Sequence, residues 1–96
     1  NIYPKEIELV LDDCTGVLES AVIGVPHPDF GETVVAVIVP QKGETPQEAA
    51  LMQACTDSLA KFKHPRRFIT LPELPRNTMG KVQKNALRED YKELFT

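Results

Sequence analysis

Glu19-Ser20-Ala21-Val22-Ile23-Gly24-Val25 and Thr33-Val34-Val35-Ala36-Val37-Ile38-Val39 flank the cluster Pro26-His27-Pro28-Asp29-Phe30-Gly31-Glu32. β-Branched residues dominate both runs, and such side chains suit a pleated strand. The Pro, Asp and Gly of the intervening cluster are turn formers. The two runs are therefore predicted to close as an antiparallel hairpin. Both are nearly continuous in apolar character from Ala21 to Val25 and from Val34 to Val39. Continuity of this kind, in place of alternation, predicts a sheet covered at least in part on both faces.

Working outward, Pro4 suits the first position of a helix, where its missing N–H would be unpaired anyway. Ile7, Val10 and Leu11 follow on one stripe, with Lys5, Glu6 and Glu8 off it, and Gly16 marks a turn beyond. After the hairpin, Thr45-Pro46-Gln47-Glu48 reads as a capping box: Thr45 as N-cap, Pro46 at the first helical position, Glu48 reaching back. That helix is predicted to run to about Phe62, with Leu51, Cys55, Leu59 and Phe62 on one face. A basic turn, Lys61-Phe62-Lys63-His64-Pro65-Arg66-Arg67, leads into a short strand, Phe68-Ile69-Thr70-Leu71. A loop from Pro72 to Lys81 precedes a last helix on which Leu87, Tyr91 and Leu94 share a face. The predicted order is α-β-β-α-β-loop-α. It gives an α+β fold: a small mixed three-stranded sheet, the antiparallel hairpin plus one strand, packed with about three helices.

Composition narrows the function. Ninety-six residues, 42% hydrophobic and 26% charged, suffice for one compact domain and not for a large enzyme. A formal charge of −3 argues against nucleic acid as the main partner, since phosphate backbones select a net basic surface. No apolar run approaches the roughly 20 residues that cross a bilayer, and nothing resembles a signal peptide. Cys14 and Cys55 make no disulfide framework. Cys55 falls on the Leu51–Leu59 stripe as a small buried apolar residue, and a reducing cytoplasm fits this usage. Asn1-Ile2-Tyr3-Pro4 lacks an initiating Met and leads at once into a helix, which points to a piece of a longer protein. No Cys/His cluster has metal-ligand spacing, and no nucleophile has a partner base.

The most informative stretch is Leu74-Pro75-Arg76-Asn77-Thr78-Met79-Gly80-Lys81-Val82-Gln83-Lys84. It joins a strand to a helix through a projecting loop, with Gly80 free to take unusual dihedrals and Lys81 at the tip. A phosphate-cradling P-loop also ends in Gly-Lys, but it needs Gly and Ser or Thr where this chain has Pro75 and Val82, so that reading is excluded. Taken alone, a Gly-Lys pair is a solvated lysine on a turn.

The whole string, however, closely resembles the signature loop of the adenylate-forming superfamily, which includes acyl-CoA synthetases, luciferases and peptide-synthetase adenylation domains. Pro75, Arg76, Gly80 and Lys81 fall on its characteristic positions. Three other segments match in order: Asn1 to Glu8, the segment after the domain hinge; Val22 to Pro26 with Gly31-Glu32, the central hairpin; and Phe62-Lys63-His64-Pro65, the basic turn. Within the superfamily, Pro75 to Asn85 is most similar to malonyl-CoA synthetase-like enzymes. One departure is Lys84, where many relatives carry Arg; the charge survives but a bidentate contact does not.

The resemblance implies that residues 1–96 are the small C-terminal lid of an AMP-forming acid–CoA ligase, whose large N-terminal adenylation domain is not in this chain. Such enzymes join a carboxylate to the α-phosphate of ATP with Mg²⁺ present, then let the thiol of coenzyme A (CoA) displace AMP. The lid swings about a hinge between the two steps. ATP, AMP and Mg²⁺ would be bound mainly by the N-terminal domain. Lys81 would be the catalytic residue of adenylation, on the loop formed by Pro75, Arg76 and Gly80. By the same carry-over, Phe30 would stack on the adenine of CoA, and Phe62, His64 and Arg66 would hold its phosphates. On the residues alone, Phe30 equally closes the hairpin, Phe62 completes the helix stripe, and a basic turn is solvated. The partners implied are the N-terminal domain, CoA and a small carboxylic acid. An alternative reading makes Lys81 the target of a protein acetyltransferase and deacetylase, since acetylation would remove the charge the chemistry needs.

Overall fold

The computed structural model describes residues 2–96. The Asn1 end of the first matched segment lies outside the described residues.

Helix α1 spans Pro4–Asp12, strand β1 Val17–His27, strand β2 Gly31–Pro40, helix α2 Glu48–Ser58, strand β3 Arg67–Thr70 and helix α3 Lys84–Tyr91. β1 and β2 pair antiparallel, and β3 joins β2 in parallel, giving a three-stranded mixed sheet in the order β1-β2-β3. The α+β architecture is as expected.

The continuous apolar runs are explained by two cores, one on each face. On one face Val22, Val34, Ala36 and Ile38 pack with Ile7 and Leu11 of α1 and Leu51 and Cys55 of α2. On the other, Ala21, Ile23, Val35 and Val37 pack with Leu74 and with Leu87 of α3. Successive residues of a strand point to opposite faces, so burial on both sides removes the alternation a half-exposed sheet would show. Pro26 is tolerated in β1 because β1 is an edge strand.

The hairpin is tighter than the turn cluster suggested. His27 pairs with Gly31, leaving Pro28-Asp29-Phe30 as the connection. Gly31 takes φ +77°, the left-handed residue that closes such three-residue loops. At the other end of β1, Val17 pairs with Pro40 and Glu19 with Val39, so Leu18 is an extra residue in a bulge and is exposed. The bulge lets Val17 join the core beneath α1 and α2 while Glu19 keeps the phase of Ala21 and Ile23 on the opposite face.

Three boundary expectations fail. α3 ends at Tyr91, so Leu94 lies in the turn beyond the helix, though it still packs against the core that holds Leu87. α2 begins at Glu48, its N-cap is Gln47 in an extended conformation, and no side chain caps it, so Thr45 and Pro46 do not form a capping box. The reason is tertiary: Glu44 and Pro46 pack on the turn at Gly16, where an added Cβ would meet their atoms at 3.3 and 3.4 Å. A residue preceding proline, as Thr45 does, also favours extended over helical backbone. At its far end α2 stops at Ser58, not Phe62. Leu59 is extended, its carbonyl hydrogen-bonds the His64 ring at 3.0 Å, and Lys61–Lys63 form a separate 3-10 turn. Phe62 is consequently off the helix face and 69% exposed.

Candidate functional site

The segment after β3 is a miniature hairpin, better ordered than a projecting loop need be. Arg76 and Val82 face each other in an antiparallel bridge, and Gln83 N donates to Pro75 O at 2.8 Å. Its turn is organised by Asn77. The Asn77 side-chain oxygen accepts from Met79 N at 2.9 Å and Lys81 N at 3.0 Å, and Gly80 N donates to Asn77 O at 2.9 Å. Gly80 has φ +84°, which a side chain would resist. Buried Leu74 and Leu87 fix the two roots of the segment in the core.

Lys81 leaves this frame exposed, beside Met79 at 87% exposure. It borders a shallow cleft of about 310 Å³ with Asn77, Lys84 and Arg88. Among the described residues no carboxylate pairs with Lys81, whereas its cationic neighbours in the hairpin are engaged. Arg76 donates to Gly80 O at 2.6 Å and to the Glu19 carboxylate, and Lys84 pairs with Glu8 at 2.7 Å. The frame therefore offers one ammonium, a compact charge with three donors, to a ligand arriving from outside.

Phe30, Phe62, His64 and Arg66 line a single cleft of about 490 Å³ at the hairpin end of the sheet, with Thr33 and Glu32. The Arg66 guanidinium lies 4.5 Å from the Phe30 ring centre and donates to Thr33 Oγ1 at 3.3 Å. His27 stacks on the same ring at 4.4 Å. Phe62 meets Tyr3 edge-on at 6.0 Å. An exposed aromatic beside a guanidinium suits a nucleotide base and its phosphates. The rest of the basic turn is used structurally. His64 binds the Leu59 carbonyl, Lys63 pairs with Glu6 at 2.7 Å and lies over Tyr3, and Arg67 lies over Phe95.

Other chemistry is suppressed. Burial pushes the Cys55 thiol up to about 11, and burial with Asp13 and Asp12 raises that of Cys14, so neither is an activated thiolate. Among the described residues no group of three or more His, Cys, Asp or Glu can hold a metal ion, and no helix is long and apolar enough to cross a membrane.

Local spacing did not reveal Asn77, Glu8 or Glu19. Asn77 carries a signal in retrospect, since Asn at the head of a turn bonds its own backbone two residues on. The two glutamates carry none, because their partners are distant in sequence.

The chain is similar to known proteins along nearly its whole length. The chain is 47% identical over 92 residues to an octahydroindenyl-propanoyl:CoA ligase of Rhodococcus jostii, covering 96% of this chain and 18% of that one. It is 41% identical over 91 residues to the long-chain-fatty-acid–CoA ligase FadD13 of Mycobacterium tuberculosis, covering 95% and 18%. The crystal structure of ATP-bound MatB from Rhodopseudomonas palustris superposes with a TM-score of 0.96 at 57% identity, over 100% of this chain and 19% of that one. The chain thus spans about a fifth of the length of these relatives. The family described as AMP-binding enzyme C-terminal domain matches residues 6–81, which takes in most of α1, the whole sheet and the hairpin up to the exposed lysine, and the chain belongs to that family.

Proposed function

We propose that this domain is the mobile lid of an AMP-forming acid–CoA ligase, converting a carboxylate, ATP and CoA into acyl-CoA, AMP and pyrophosphate. The observation that carries the reading is Lys81: an ammonium with no carboxylate partner among the described residues, exposed on a rigid frame, in a chain of this family. Adenylation brings an anionic carboxylate against an anionic phosphate. A cation fixed beside both lowers their repulsion and stabilises the charge that spreads in the transition state. Lys81 supplies that cation. The hairpin formed by Pro75, Arg76 and Gly80 holds it out to a site that belongs to an N-terminal adenylation domain, where ATP and Mg²⁺ bind.

Thioester formation uses a different part of the domain. Phe30 takes the adenine of CoA, and Phe62, His64 and Arg66 border the phosphates, Arg66 as the fixed charge. The two sites are on separate segments, Lys81 on the short hairpin before α3 and the others at the β1–β2 turn and the basic turn, so the lid turns between half-reactions. The acid is malonate or a similar short acid; the wording of residues 75–85 and the 57% identity to MatB support this. The enzyme works in the reducing cytoplasm. Exposure also makes Lys81 accessible to a protein acetyltransferase, and acetylation there would silence adenylation.

The test is Lys81→Ala in the complete ligase. One fixed donor of this type is typically worth about 3–4 kcal/mol, so carboxylate-dependent pyrophosphate–ATP exchange should fall at least about a hundredfold. Conversion of preformed acyl-adenylate and CoA to thioester should change far less, because no carboxylate enters in that step. Equal losses in both half-reactions overturn the assignment.

A further inference from the structure

Glu8 lies at a junction of three elements. One of its carboxylate oxygens, Oε2, accepts from the backbone N–H of Val22 on β1 at 2.8 Å and from Lys84 Nζ at the start of α3 at 2.7 Å. α1 packs on one face of the sheet and α3 on the other. The two meet around the outer edge of β1, the strand with no neighbour on that side. The Glu8 side chain is 16% exposed, so the carboxylate is largely withdrawn from water. A second ion pair, Arg76–Glu19, ties the other arm of the lysine hairpin to the same strand, and the same guanidinium holds Gly80 O.

Lys81 therefore sits between two ionic anchors, one on each side of it in the chain, and both anchors are glutamates fixed by β1. A hairpin held only by Leu74 and Leu87 at its roots would still pivot about them. Adding one strut to each arm removes that freedom. We infer that Glu8 and Glu19 are positioning residues that brace the lysine hairpin, through Lys84 and Arg76, against the edge of the sheet. This rests on Lys81 being the adenylation cation. The brace makes the hairpin one rigid body with α1 and β1, so a rotation of the domain delivers the ammonium to a fixed place rather than to a range of places.

The experiment uses the complete ligase with Glu8→Gln, Glu19→Gln and the double substitution, each of which keeps shape and hydrogen-bonding capacity while removing charge. Each single change should slow pyrophosphate–ATP exchange about fivefold and the double about twenty-fivefold, the size expected of partly exposed ion pairs. Thioester formation from preformed acyl-adenylate should stay within about twofold, because Phe30 and Arg66 lie at the β1–β2 turn and the basic turn before β3, away from the braced hairpin. Limited trypsin digestion, which cleaves after Lys81, gives a readout independent of activity: cleavage at Lys81 should accelerate in parallel with the loss of exchange. Lys84→Arg should keep both properties and Lys84→Met should lose them. If Lys81→Ala costs its hundredfold while the glutamate variants exchange and digest like the parent, the brace is overturned and the catalytic reading stands. Equal slowing of both half-reactions, with cleavage spread through the domain, also overturns it. If Lys81→Ala leaves exchange intact, the catalytic reading fails and the brace fails with it.

Discussion

Gly80 offers a clean separation of backbone from side-chain effects. It takes φ +84°, yet a Cβ built there meets nothing within 4 Å. Gly80→Ala therefore introduces no clash, and its whole cost is the left-handed backbone, about 1–2 kcal/mol for a residue with a Cβ. The hairpin is exposed, while its roots, Leu74 and Leu87, are buried at 4% and 1%. The strain is consequently relieved locally: the turn gives up the Gly80 N to Asn77 O bond and the Arg76 contact to Gly80 O, and the core stays intact. An energy of that size lowers the native turn population by up to roughly five- to thirtyfold. Exchange of pyrophosphate into ATP by the complete ligase should fall by the same factor, less than for Lys81→Ala, with the thermal midpoint nearly unmoved. Gly80→Asn should recover most of the loss, because Asn visits left-handed backbone readily. Parent-like exchange in Gly80→Ala would refute the reasoning. So would equal impairment in the Ala and Asn variants, which would mean that a close approach to the reactants, not the dihedral, requires glycine.

Leu87 is 1% exposed beneath the hairpin root, so Leu87→Ala should cost about 2–5 kcal/mol in denaturant unfolding. Thr45→Ala should change stability by less than about 0.5 kcal/mol, where a true N-cap would lose about 1; an unfolding curve decides between them. Cys55 adds a pH dependence. With its folded pKa near 11 and its ordinary value at 9.0, the unfolded chain loses the proton first. The folded state is then the more protonated one, and stability declines as pH rises from 9 towards 11, by at most about 1.4 kcal/mol per pH unit. Comparison with Cys55→Ala, which lacks this component, isolates it.

Much of this was readable in the chain, for physical reasons that differ by element. Two valine-rich runs around a Pro-Asp-Gly cluster have few alternatives to a hairpin, and continuous apolar character correctly implied two covered faces. Leu51 and Cys55 kept their helical stripe, and Leu59, just past the helix end, still packs in the same core. The same periodicity carried on to Phe62 and misled there, because the His64 ring takes the Leu59 carbonyl and ends the helix. The Thr45–Glu48 pattern failed in the same way: a local capping signal lost to the packing of Pro46 on the Gly16 turn. The lysine hairpin was legible as a motif, but its supports were not. Arg76 and Glu19 are 57 positions apart, and no periodicity links residues that meet only because a sheet and a helix bring them together.

The bulge at Leu18 has a consequence for how this domain tolerates changes in length. Leu18 is surplus to the pairing of β1 with β2, so its deletion would restore plain two-residue alternation and leave Val17 and Glu19 on the sides they now occupy. Deleting Ser20 instead would put Glu19 in its place opposite Ile38, beside the Asp12 carboxylate, and strand Arg76 without its counter-ion. Within one edge strand, then, a neighbouring pair of single-residue losses should have opposite fates, and the difference is one of parity rather than of chemistry.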